Sequence, residues 1–140
     1  MFYEVTSKRN VVDLSGNNRE TTEKFILKEL EFFSEAENKI LEYFNNECTV
    51  TAIKQSKVME FANERDDSDQ YIYLATLEQI FIDEKSGAEK SMKYLIGLFA
   101  ENIDDATNIA NEYKKQIDDD MHLVCVKKTK FADLLWKQEH

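Results

Sequence analysis

Two stretches of the chain carry the residues best suited to chemistry, "IKQSKVMEF" at 53–61 and "VKKTKFADL" at 126–134. Each places an apolar residue before a lysine, brings a further lysine three residues on, and ends on an acid followed by an apolar side chain. Lys54 and Lys57 in the first stretch, and Lys127, Lys128 and Lys130 in the second, would together suit an anion. A phosphate or a partner's carboxylate could be held by the ammonium groups and by amides at a helix end. If the two corners lie within one ligand length around a concave, partly aromatic surface, the ligand class is an anionic nucleotide. The plainer role for the same five lysines is to point into solvent and answer nearby carboxylates. At the start of a short helix, Lys57 and Lys130 would also oppose the helix dipole by some tenths of a kcal/mol, roughly 0.3 or more.

Other chemistry has less to stand on. Acid runs occur at 64–69, "ERDDSD", and at 118–120, "DDD", but neither has the oxygen ligands spaced around a glycine turn that a calcium loop needs. Runs of like charge are solvated segments as a rule; carboxylates gathered on one face could also imitate a phosphate backbone. His122 and His140 are the two histidines, and they form no pair for metal binding or proton relay. Cys48 and Cys125 lie outside any CxxC or Cys/His cluster and read as reduced core thiols. There is no GxSxG, Walker loop or GxGxxG. The expectation is a protein that is not an enzyme and takes no metal and no cofactor.

The totals narrow the partners. With 28 acidic against 18 basic residues the formal charge is -10, and both halves share it. A surface of that sign repels phosphate backbones and anionic lipid, so direct nucleic-acid binding and membrane binding are not expected. The first ten residues have no basic and apolar leader and no 18-residue apolar run occurs, which points to the cytoplasm. A chain of 140 residues with 42% hydrophobic residues can bury a core.

The elements that must position these residues come twice. A shift of seventy residues brings Tyr3 onto Tyr73, Thr6 onto Thr76, Asp13 onto Asp83, Ala36 onto Ala106 and Tyr43 onto Tyr113. Each half opens with a β-rich hairpin whose turn carries "SG", continues into a helix, and adds a strand, "CTVTAIK" or "MHLVCVK". "SEAE" at Ser34 reads as a capping box for the first helix. Asn102 or Asp104 would cap the second, whose face is Ile103, Ala106, Ala110, Tyr113 and Ile117. A short helical tail, "SKVMEFAN" or "TKFADLLWKQ", then closes each half. The predicted fold is α+β: two ββαβ units in tandem, a largely antiparallel sheet with two packed helices and short helical tails. It forms one compact domain over 1–140, with an internal pseudo-repeat of 1–66 and 71–140 and a hinge near "NERDDSDQ". "YLIGLFA" is apolar on both faces, which suits a central strand or the edge of a homodimer.

The opening "MFYEVT", the "EA" helix after the first hairpin, "VTAIKQSK" and "DEKSG" give the chain a further bearing. It resembles a family of small uncharacterised proteins from phages and prophages of gut Bacteroidetes, over most of its length. The tip "SKRNVVDLSGNNRE" has no counterpart there. The resemblance implies a phage-encoded protein acting in the cytoplasm of the infected bacterium, and it supplies no active residues. The expected function is a non-enzymatic binding module directed at a host or phage protein through a sheet edge or an acidic face. The alternatives are a small-ligand binder that sequesters an anionic nucleotide as an anti-defence sponge, and a virion or assembly component.

Overall fold

Alternating side chains over ten to twelve residues build each hairpin, and a change to steps of three and four builds each helix. The computed structural model describes residues 2–28, 32–67, 69–118 and 120–136. The chain runs β1 (Tyr3–Val12), β2 (Asn18–Lys28), α1 (Phe33–Tyr43), β3 (Thr49–Gln55), β4 (Val58–Phe61), β5 (Tyr71–Ile82), β6 (Glu89–Ala100), α2 (Ile103–Ile117), β7 (His122–Lys128) and β8 (Phe131–Trp136). The class is α+β, and the doubled ββαβ order expected from the sequence is present.

An aspartate organises each hairpin turn. Asp13 Oδ1 accepts from the amides of Ser15 and Asn17, both at 2.9 Å, and Asp83 Oδ1 accepts from the amide of Lys85 at 2.9 Å. Gly16 and Gly87 follow at φ 83° and 68°, a region that a side chain makes costly. The Lys90 ammonium, 2.8 Å from Asp83 Oδ2, together with the Lys85 amide holds the Asp83 carboxyl below its usual range.

The helices start and stop by different means. Asn102 caps α2, its side chain accepting from the Asp105 amide at 2.8 Å, and Lys114 and Lys115 sit in the last turn where the dipole favours cations. The capping box expected at Ser34 does not form: α1 starts at Phe33, its N-cap Phe32 makes no side-chain cap bond, and Ser34 lies inside the first turn. Phe33 there packs edge-on to Tyr3 at 5.1 Å between ring centroids. α1 has 11 residues and α2 has 15, about one turn more. Asn45 and Asn46, at φ 52° and 62°, break the helical path after α1, as asparagine does more readily than most residues.

The contacts divide the chain into two compact units, Met1–Lys57 with Lys130–His140, and Val58–Thr129. The first has a sheet of order β3-β1-β2-β8 and the second a sheet of order β7-β5-β6-β4. In both, the hairpin and the post-helix strand pair antiparallel, while the last strand pairs parallel with the hairpin's second strand. The register irregularities recur too. One falls between Thr6 and Ser7 and again between Thr76 and Leu77; the other falls where β8 meets β2 and where β4 meets β6.

The short helical tails are therefore corrected: "VMEF" and "FADLLW" are strands β4 and β8. Each half of the chain supplies the last strand of the other half's sheet. The physical reason is the open row of N–H and C=O groups along the outer side of β2 and β6, which a four- to six-residue apolar segment satisfies as a strand. The antiparallel sheet of the prediction is thus two four-stranded sheets, each closed by one parallel strand.

Each unit has its own helix-covered cluster. Tyr3, Val5, Phe25, Leu27, Ala36 and Ile40 form the first. Tyr73, Ala75, Leu77, Ile96, Leu98, Ala106, Ala110 and Met121 belong to the second. Among the described residues no helix is long and apolar enough to cross a membrane.

Candidate functional site

The chain crosses between units at the two lysine-bearing stretches, and the repeated element there is a hydroxyl residue between lysines. The Ser56 amide donates to Phe2 O at 2.8 Å, and the Thr129 amide donates to Ile72 O at 3.0 Å, each extending a ladder by one bond before the chain leaves it. Thr129 Oγ1 reaches the same Ile72 oxygen at 2.7 Å. Lys57 and Lys130 follow, exposed, at the start of a crossing rather than a helix, so the expected conflict with a helix dipole does not arise.

Lys54 lies on β3 and Lys127 on β7, the outermost strands of their sheets, opposite Glu4 and Leu74. Lys128 is beside it on β7, with Nζ 3.7 Å above the centre of the Tyr71 ring, a contact worth about 0.5–1 kcal/mol at an exposed site. Lys54, Lys57 and Lys130 belong to the first unit, Lys127 and Lys128 to the second. In the first unit Lys54 joins Lys24, Glu4 and Phe131 around a groove of about 260 Å³.

The sequence did not single out a concavity of the second unit, about 420 Å³, within the range of small-ligand sites. Ala106 and Ala110 are fully buried and let the first half of α2 lie close on the sheet. Further along the helix, Tyr113, Ile117 and Asp118 line the opening instead. Leu77, Ile96 and Met121 form a buried apolar floor. Met59 and Glu60 enter from β4, Gln79 from β5 and Tyr94 from β6. Tyr113 Oη donates to Glu60 Oε2, and Gln79 Nε2 donates to Asp118 Oδ2 at 3.0 Å. Burial, and after it the bond to Glu60, pushes the Tyr113 phenol up to about 12. Both charged groups of the lining are carboxylates.

At the matching end of the first unit the chemistry is different. Arg9 Nε donates to Glu23 Oε1 at 2.6 Å, and its guanidinium carbon lies 4.6 Å from the centre of the Phe44 ring. Phe44 in turn packs edge-on to Phe25 and Tyr43. A polar opening of about 390 Å³ remains beside Arg9, lined also by Lys8, Glu20, Glu47 and Cys48. Cys48 is half-buried, and burial raises its thiol pKa against the lowering effect of Arg9, which favours the protonated thiol.

Cys125, expected as a core thiol, is exposed on β7 because its side chain falls on the outward face of an edge strand. His122 is exposed at the start of the same strand, and His140 lies outside the described residues. Among the described residues no three His, Cys, Asp or Glu side chains are gathered as a metal site.

A family described as Domain of unknown function (DUF4494) matches residues 1–137. No curated protein and no solved structure matches the chain.

Proposed function

The chain belongs to the DUF4494 family of domains of unknown function, and from that premise we propose that it is a non-enzymatic binding module that recognises a host or phage protein. Its phage origin and its place in the cytoplasm of an infected bacterium rest on the resemblance carried by "MFYEVT", "VTAIKQSK" and "DEKSG". The observation that supports recognition is the opening under the end of α2, with its apolar floor and hydrogen-bonded carboxylate rim. Such a site is shaped to bury one projecting side chain of a partner, the geometry that gives interfaces their anchor residues. Glu60 and Gln79 are each committed to a neighbour, an arrangement suited to holding shape. Affinity-tagged protein, compared with Glu60→Lys, in phage-infected cells tests the reading. A stoichiometric partner captured by the parent and lost with Glu60→Lys is expected; equal capture by both, or none by either, overturns it.

A second reading keeps an anionic small ligand at the first unit, where Lys24, Lys54 and Phe131 line the 260 Å³ groove. Glu4 in the same lining opposes it. A rise in melting temperature with mono-, di- or cyclic nucleotides that disappears in Lys54→Ala would support this reading, and no rise with any of them removes it.

A further inference from the structure

We propose that the opening of the second unit accepts a guanidinium group on an apolar stem, the arginine side chain of the protein that the module recognises; this rests on the proposed binding role. The argument starts from the internal repeat. Arg9 and Gln79 hold the same place in the two hairpins: Arg9 faces Thr21 across β1 and β2, and Gln79 faces Met92 across β5 and β6. The bulges flanking these positions coincide as well.

In the first unit the chain places its own guanidinium there, bonded to a carboxylate and lying over an aromatic ring. In the second unit Gln79 is shorter and uncharged, yet acids and rings still surround the position. Glu60 and Asp118 supply two carboxylates, and Tyr94 and Tyr113 supply two rings. The planar guanidinium carries five donors and suits carboxylates and aromatic faces together, which a compact ammonium does less well. Its methylene stem would lie along Leu77, Ile96 and Met121, as arginine stems do on apolar surface. A partner's arginine would thus complete in the second unit what Arg9 completes in the first.

The probe is N-butylguanidinium, with the neutral N-butylurea as its isostere, titrated into the full chain while the methyl resonances of Met59 and Met121 are followed. We expect saturable shifts at both methyls with the cation and at least about tenfold weaker binding of the urea, the loss of one charge-assisted contact. Asp118→Asn should weaken the cation by a similar factor. Gln79→Arg should abolish binding and raise the melting temperature, because the chain then fills the place with its own guanidinium. Equal binding of cation and urea, undiminished binding by Gln79→Arg, or no shift with either probe overturns the proposal. If N-butylguanidinium binds but infected cells yield no partner, the protein-recognition reading falls while the pocket's chemistry stands. A partner captured through Glu60 with no response to N-butylguanidinium gives the reverse.

Discussion

Gly97 on β6 lies so close to Phe61 on β4 that a Cβ at position 97 would stand 2.6 Å from the ring. Phe61 also meets Phe99 at 5.7 Å between centroids, so its ring has little room to retreat. Gly97→Ala is therefore expected to push β4 off β6 and cost about 1–3 kcal/mol, the range for overpacking. Chemical denaturation in a Phe61→Ala background should recover most of that cost, since the clashing atoms are gone. An equal cost in both backgrounds would show that β4 does not pack as described.

Ser7 is 1% exposed, and its Oγ has no hydrogen-bond partner among the described residues. The corresponding residue of the second unit is Leu77, fully buried in its cluster. A buried hydroxyl without a partner carries a desolvation penalty that an apolar side chain avoids. Ser7→Ala should be neutral or stabilising by up to about 1 kcal/mol in thermal or urea unfolding. A clear loss of stability would mean that the hydroxyl is bonded in solution, through water.

The repeat was legible because paired positions keep one residue type: Tyr3 and Tyr73 are core, and Asp13 and Asp83 organise turns. The tails were not, since "VMEF" and "FADLLW" are too short for periodicity to separate strand from helix. Their type is decided by β6 and β2, which are far away in sequence. The same misreading hid the pocket, because Met59 and Glu60 reach it only from β4 as a strand. Lysines were legible as a repeated feature and their setting was not: a sequence does not show that β3 and β7 would be the outermost strands.

That edge position gives the lysines a testable role. An outermost strand offers unpaired backbone groups to other chains, and charge, lysine above all, is a common guard against such pairing. Lys54→Val together with Lys127→Val should produce concentration-dependent association in sedimentation velocity that the parent lacks. If the doubly substituted chain sediments as the parent does, the lysines are not guarding the edges.

The Tyr113 phenol donates to Glu60, and its pKa stands at about 12 against an ordinary 10.0, burial being the larger cause and the bond the smaller. Between those values the unfolded chain has released this proton and the folded chain still holds it. The contribution to stability is whole below the unfolded value and drains away as pH rises through the folded one. The parent should therefore lose melting temperature across this alkaline window more steeply than Tyr113→Phe, with the two parallel at neutral pH. Because burial is the largest single cause, Glu60→Gln should lower the phenol's pKa yet leave it above the ordinary value when tyrosinate absorbance is titrated. Parallel melting curves through the whole window would mean that the phenol titrates as an exposed tyrosine and that the rim of the pocket is open to water.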